Sequence, residues 1–267
     1  MREYDDQGDD IDTATRVRVQ LLGPVIAFNA EARIPVQGQR QLKFLASLAL
    51  KAGQMVTKES IVEDSWDTDP PKTVSGQLQN SAWMIRTAFE GVGVGREILA
   101  SHALGYQLHV PASRVDVCVF RDMVRESKEQ GQAGRYREAS DRLDEALALW
   151  KGQALANITS ARLRARADGL DRERLAALEQ RARLDVKLGR NEEAIARLNG
   201  LIAGDPLRED LYVALMHAYY GADRQADALN VFHQAKRTLM DEIGIMPGRR
   251  LRETMQSILA QQLQIAA

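Results

Sequence analysis

Apolar residues recur along residues 70–89 at helical spacing. Val74, Leu78, Ala82, Ile85 and Phe89 follow at intervals of four, four, three and four, the repeat of a helix with one face on a core. The opposite face carries Lys72, Thr73, Gly76, Asn80, Trp83 and Thr87, flanked by Gln77, Gln79 and Arg86. Amides, hydroxyls and a few cations read base edges and phosphates. They are equally the groups of a solvated helix surface.

Before this helix, Val17, Val19 and Leu21 alternate with Arg18 and Gln20, the period of a strand. Gly23-Pro24 breaks the run, and residues 25–28 and 33–36 follow around a turn at Asn29, which predicts a small antiparallel sheet. Residues 39–51 predict a helix burying Leu42, Leu45, Ala46, Ala49 and Leu50, ended by Gly53. Thr57 predicts the N-cap of a short helix over 58–66 that buries Ile61, Val62 and Trp66. Pro71 suits the start of the third helix, with Lys72 and Thr73 in its first turn. Residues 97–101 and 105–110 predict a hairpin, with Tyr106 in its core. Strands, three helices and a hairpin are the order of a winged helix-turn-helix, whose third helix enters the major groove while the hairpin tip touches the backbone or minor groove.

Residues 111–116 read as a linker, and everything beyond reads as helix: 117–131, 135–150, 168–188, 191–203, 207–220, 225–240 and 247–263. Gly189-Arg190-Asn191-Glu192-Glu193-Ala194 recurs as Asp223-Arg224-Gln225-Ala226-Asp227-Ala228, 34 residues on, the tetratricopeptide period. An earlier copy, Gly134-Arg135-Tyr136-Arg137-Glu138-Ala139, lies 55 residues before Arg190 and is out of phase. Stacked helix pairs of this kind present a concave groove, usually to protein. Trp150 is expected to pack between repeat units, and Arg190 and Arg224 to satisfy helix ends.

The expected architecture is therefore α+β, then all-α, mainly α overall. It comprises an acidic disordered tail (1–15), a winged helix-turn-helix (16–110) and tetratricopeptide-like helices (111–267). Charge changes this picture little. Residues 1–15 hold one Arg against six acids, net −5; residues 16–110 hold ten Lys and Arg against eight acids, net +2. A strongly basic domain would announce nucleic acid, and this one does not. A single cysteine, Cys118, excludes an internal disulfide and fits a reducing cytoplasm. The acidic start is not a signal peptide, and no run of eighteen apolar residues occurs. His102, His109, His217 and His233 form no zinc-type pair, and no Walker sequence occurs. Gly91, Gly93 and Gly95 follow a helix, where a dinucleotide fingerprint should follow a strand. Neither an enzyme nor a cofactor or metal is expected.

The chain resembles the Streptomyces antibiotic regulatory protein (SARP) family over residues 17 to about 263. In the first half the motifs are Gln39-Arg40-Gln41, Ala52-Gly53-Gln54-Met55-Val56-Thr57, Trp66 before Pro70-Pro71, Leu78-Gln79, Ile85-Arg86 and Gly105-Tyr106-Gln107-Leu108, similar to an OmpR-type winged helix. In the second half Ala146-Leu147-Ala148-Leu149-Trp150-Lys151-Gly152, Pro206-Leu207-Arg208-Glu209 and Asp241-Glu242-Ile243-Gly244-Ile245-Met246-Pro247-Gly248 resemble the family's bacterial transcriptional activation domain.

The resemblance implies an activator of secondary-metabolite genes. It would bind direct repeats in double-stranded promoter DNA, as a homodimer or tandem protomers, and contact RNA polymerase including its sigma subunit. It would be cytoplasmic and nucleoid-associated. Arg86 matches a family Arg that holds a phosphate or base edge. The expected DNA contacts are Lys72, Thr73, Gly76, Gln77, Gln79, Asn80, Trp83, Arg86 and Thr87, with Ser101 and His102 at the wing. Three departures from the family's pattern, Ala82-Trp83, Ser101-His102 and Trp66-Asp67, bear on the operator rather than the fold. Trp83 could cover a thymine methyl or sugar, or pack on the wing or a second protomer. The alternative is a helical-repeat interaction or ligand-sensing scaffold whose winged helix binds no DNA.

Overall fold

The computed structural model describes residues 16–30, 32–67 and 70–261; the expected acidic tail lies outside them. The chain divides into two compact units. The first comprises residues up to Met123 together with Ala148–Arg172, and the second Val124–Leu147 together with the chain from Glu173.

The first unit opens with an antiparallel sheet of β1 (Val17–Gln20), β2 (Ile26–Asn29) and β3 (Ala32–Ile34), paired in that order. Val17, Val19 and Leu21 are fully buried, as their alternation predicts, while Arg18 covers the Phe28 ring on the other face. Helices α1 (Gln39–Ala49), α2 (Lys58–Trp66) and α3 (Val74–Glu90) follow, with β4 (Met55–Thr57) preceding α2. A second antiparallel sheet runs β4–β6–β5, where β5 is Leu99–Ser101 and β6 is Gly105–Leu108. Tyr106 packs edge-on against Phe44, as a core residue.

Thr57 caps α2 as expected, its hydroxyl accepting from the Ser60 amide at 3.2 Å. Around α1 the expected stripe is too narrow. Phe44 and Leu48 are buried as well, because α1 packs against α2, α3 and β6 at once, while Leu42 and Leu50 are only half-buried. On α2, Ile61 is buried, but Val62 and Trp66 are half-buried. Beside Ile61 the helix buries a charged group fully, Asp64, which accepts from Ser47 Oγ at 2.6 Å and lies 3.0 Å from Arg166 and 3.2 Å from Arg162. At Asp67, which ends α2, the backbone takes φ 54° and ψ −106°. Its carboxylate accepts from Ser160 Oγ and the Arg162 amide.

Residues 111–116 are not a linker. Ala112–Arg114 form a 3₁₀ turn, Val115 bridges to Val19 in parallel, and Asp116 starts helix α4 (Asp116–Gln132) with its carboxylate buried. That carboxylate accepts from the amides of Leu21, Leu22 and Val117 at 2.8–2.9 Å. Burial pushes its pKa from 3.8 up to about 6, against the pull of those amides and of Arg18. The stretch after helix α5 (Tyr136–Ala148) also belongs to this unit. The amides of Lys151, Leu155 and Ala156 donate to the carbonyls of Leu22, Leu21 and Gly23, and Asn157 exchanges hydrogen bonds with both backbone groups of Val25. Trp150 is buried edge-on against Phe120 in this unit, so it does not separate repeat units.

The second unit is helical. Besides parts of α4 and α5, it takes the later half of α6 (Ala161–Lys187), then α7 (Asn191–Gly204), α8 (Glu209–Gly221), α9 (Gln225–Ile243) and α10 (Arg249–Leu259). Helix α6 starts earlier than its apolar period suggests, because Ser160 Oγ accepts from the Leu163 amide and Gly169 is tolerated in its interior.

The three Gly/Asp-Arg copies share one backbone. Gly134, Gly189 and Asp223 all have φ between 57° and 76°, and the next amides, Arg135, Arg190 and Arg224, reach back to Gln130, Asp185 and Tyr219. Four residues after each Arg, Ala139, Ala194 and Ala228 are fully buried. The copy at 135 is thus a structural repeat despite its spacing. Arg190 and Arg224 occupy N-cap positions without capping through their side chains. Arg224 instead pairs with Asp227 and Glu192 and covers the Tyr219 ring.

Candidate nucleic-acid interface

Helix α3 buries Leu78, Ala82, Ile85 and Phe89 and leaves Val74 half-buried, so its outward face is the one the period predicts. Gln79, Asn80 and Thr87 are exposed, and Trp83 is 54% exposed. Their hydrogen bonds stay within one turn. Thr87 Oγ1 donates to the Trp83 carbonyl at 3.0 Å, and Asn80 Nδ2 lies 3.8 Å from Met84 Sδ. Gln77 is half-buried and donates to Thr73 Oγ1 at 3.0 Å.

Lys72 and Thr73 do not lie in the first helical turn. The Val74 amide closes a turn on the Pro71 carbonyl, which places Lys72 before the helix and Thr73 at the N-cap position without a side-chain cap. Both are exposed. Gly76 is also exposed, and a Cβ built on it would meet no atom within 4 Å. Nothing inside the fold requires glycine there.

Arg86 is half-buried and turned toward the hairpin. Its Nε and one terminal nitrogen donate to the Leu99 carbonyl at 2.9 and 2.6 Å, and the same terminal nitrogen reaches Ser101 Oγ at 2.7 Å. Arg86 and Ser101 therefore bind each other, and the guanidinium fixes α3 to β5. Burial raises the Tyr106 hydroxyl pKa, and the charge of Arg86 counters it.

At the wing, the amides of His102 and Gly105 each donate to the other's carbonyl, at 2.8 and 3.3 Å. The His102 ring lies 3.1 Å from Gln107 Oε1, and Gln107 Nε2 donates to Gly53 O. A Cβ on Gly105 would sit 2.1 Å from the Val56 carbonyl oxygen, so only glycine lets β6 pass β4 here. Two residues join this surface that pattern reading missed. Leu104 projects from the wing tip at 68% exposure, and Lys58 anchors the tip by donating from Nζ to the Ala103 carbonyl and from its amide to the Leu104 carbonyl. An apolar residue at a turn carries no periodic signal, whereas the shortness of the His102–Gly105 connection could have pointed to an exposed tip.

Among the described residues no helix is long and apolar enough to cross a membrane.

Comparison with known proteins bears on both units. Residues 115–259 match the family model of the bacterial transcriptional activator domain. Regulatory protein AfsR of Streptomyces griseus is 31% identical over 92% of this chain and 25% of its own length. Regulatory protein DnrI of Streptomyces peucetius is 29% identical over 91% of this chain and 92% of its length. The transcriptional regulatory protein EmbR of Mycobacterium tuberculosis is 30% identical over 92% of this chain and 64% of its length. The chain thus spans a quarter of AfsR, most of DnrI and under two thirds of EmbR. The solved structure of Mycobacterium tuberculosis EmbR in complex with a low-affinity phosphopeptide superposes with a TM-score of 0.89 at 29% identity, covering 93% of this chain and 66% of that one.

Proposed function

The chain belongs to the bacterial transcriptional activator domain family and is a transcriptional regulator of the SARP kind, and from this premise we propose that it is a sequence-specific DNA-binding activator. In this reading α3 enters the major groove of double-stranded promoter DNA and the wing tip approaches the backbone. Protomers pair, as a homodimer or in tandem, on direct repeats. The helical unit recruits RNA polymerase, including its sigma subunit, at secondary-metabolite (antibiotic) genes. It works in the cytoplasm, at the nucleoid.

One observation carries the reading. Lys72, Thr73, Gly76, Gln79, Asn80, Trp83 and Thr87 share an exposed surface whose hydrogen bonds stay local, on a helix that Arg86 fixes to the hairpin. Gln79 and Asn80 carry amides able to hold adenine by two hydrogen bonds, each such pair giving about 1–3 kcal/mol of discrimination. Gln77 and His102 flank this set. Arg86 and Ser101 contribute by orienting it, since their polar atoms are joined to each other. The net charge of +2 over residues 16–110 implies modest affinity for one monomer and cooperative binding on repeats. That low charge is also what favours the competing reading, a helical scaffold or ligand sensor whose winged helix binds no DNA.

A gel shift with the DNA upstream of the neighbouring genes tests this, with Gln79→Ala and Asn80→Ala alongside and salt varied. A specific band that weakens in both variants and with rising salt supports the activator. No band at micromolar protein sinks it in favour of the scaffold.

A further inference from the structure

The second unit contains a groove of about 630 Å³ walled by the ends of α4 and α6 and the starts of α5, α8 and α10. Five cations line it: Lys128, Arg183, Lys187, Arg208 and Arg250. Only two acids do, Glu179 and Asp210, so the lining is net +3. The arrangement is built rather than incidental. Glu179 is buried, and its two oxygens hold Arg183 and, at 2.6 Å, Arg208. Asp210 holds Arg250 at 2.8 Å, and the Lys187 ammonium lies over the Tyr136 ring at 5.5 Å. Arg183, Arg208, Arg250 and Lys187 are therefore oriented before any partner arrives, which lowers the entropy lost on binding.

We propose that this groove docks an extended acidic peptide segment of a partner protein, its carboxylates taken by Lys128, Lys187 and the outer edges of Arg183, Arg208 and Arg250. Charge complementarity sets the class. A planar guanidinium matches a carboxylate in geometry as well as charge, and the concave side of a helical repeat suits an extended segment. Leu184, Ala176 and Tyr136 line the same groove and offer apolar contact to side chains between the acids. Glu179 and Asp210 oppose any anion alike, but a phosphate backbone carries no apolar side chains to set against Leu184, Ala176 and Tyr136.

A second feature concurs. His217 is held below its usual pKa range by burial and by Arg250, Arg183 and Lys187. Three of the lining cations thus act on one nearby ring, and acids seated among them would relieve it. The inference rests on the helical unit alone and stands or falls apart from DNA binding by α3.

The test uses the full chain and a fluorescein-labelled dodecapeptide alternating Asp and Leu, followed by anisotropy. The peptide should bind in the micromolar range, its Asn–Leu counterpart at least tenfold more weakly. Lys128→Glu combined with Lys187→Glu should lower affinity at least tenfold while leaving the helical circular dichroism unchanged. In the unaltered chain, NMR titration should show the His217 pKa rising when peptide is added. Equal binding by the charge-reversed chain, or an unmoved His217, would overturn the proposal. So would tighter binding of a length-matched single-stranded oligonucleotide at the same residues, which would make this a nucleic-acid surface. If the peptide bound only after residues 1–15 were deleted, the occupant would be the chain's own acidic segment, and a partner protein would be ruled out.

Discussion

On the outer face of α3, Gln79, Asn80 and Trp83 stand in solvent with hydrogen-bond partners no farther than one turn away. In the helical unit, Arg181 is 5% exposed, and its guanidinium meets Asp144 at 2.8 and 3.0 Å on one side and the fully buried Asp185 on the other. Both surroundings are polar, yet a substitution means opposite things in each. Removing an exposed amide leaves the fold as it was. Removing Arg181 strands a carboxylate without exposure to water. Groups that the fold does not use are the ones available to an outside partner, and the contrast separates them from groups that merely look chemical.

Arg181→Ala should break this contrast most severely. Loss of one partner of a buried ion pair costs about 3–5 kcal/mol, read as a fall in the midpoint of urea unfolding. The Arg197 guanidinium, 3.5 Å from Asp185, offers only partial compensation. A loss under about 1 kcal/mol would mean that Asp185 is held by the remaining groups.

Asp116 is the next largest effect and depends on pH. Its folded pKa, about 6, lies above the 3.8 of the free group. The folded state therefore prefers the protonated acid. The contribution is fully present below about pH 4 and is lost as pH rises through 6, by about 3 kcal/mol. Asp116→Asn removes this titration. The stability advantage of the natural chain over the variant should shrink from pH 4 to pH 7, as followed by thermal melts. An advantage that grew over that range would show that the amides of Leu21 and Leu22 favour the carboxylate more than burial opposes it.

Arg86→Ala sharpens the comparison on α3 itself. Hydrogen bonds from a charged group contribute about 1.5–3 kcal/mol, so stability should fall by that order together with DNA affinity. Gln79→Ala and Asn80→Ala should lower affinity with stability unchanged within about 0.5 kcal/mol. Were Arg86→Ala to lose affinity with its stability intact, the guanidinium would belong to the DNA contacts rather than to the scaffold.

Arg86 also marks how far pattern reading reaches. The period of α3 was legible because four apolar residues repeat with nothing else able to bury them, and the alternation in β1 was legible for the same reason. Which way a flank residue turns depends on an acceptor thirteen residues on, the Leu99 carbonyl, and no period encodes that. Asp116 serves amides 94 and 95 residues earlier, so residues 111–116 looked like a linker when only their local composition was weighed. The turn at 134 was visible as a motif but not as a repeat, because a 34-residue period cannot span the chain that returns to β1 between α5 and α6. Asp64 was missed since a lone acid on a short helix gives no sign of the arginines that meet it.

The smallest predicted effect carries opposite signs in its two readouts. Gly76 lies in the first turn of α3, exposed, in helical conformation, with open space where a Cβ would stand. Gly76→Ala should therefore stabilise the chain by up to about 1 kcal/mol, the difference in helix propensity, a position near the helix start giving less than a central one. Pattern alone would call the glycine a flaw. If α3 brings its backbone close to DNA at this turn, the added methyl should lower affinity although the protein is more stable. A more stable chain with unchanged affinity would remove Gly76 from the interface and leave the contacts to Lys72, Gln79 and Asn80. A loss of both stability and affinity would mean that the added methyl disturbs α3 itself, which the open space around Gly76 argues against.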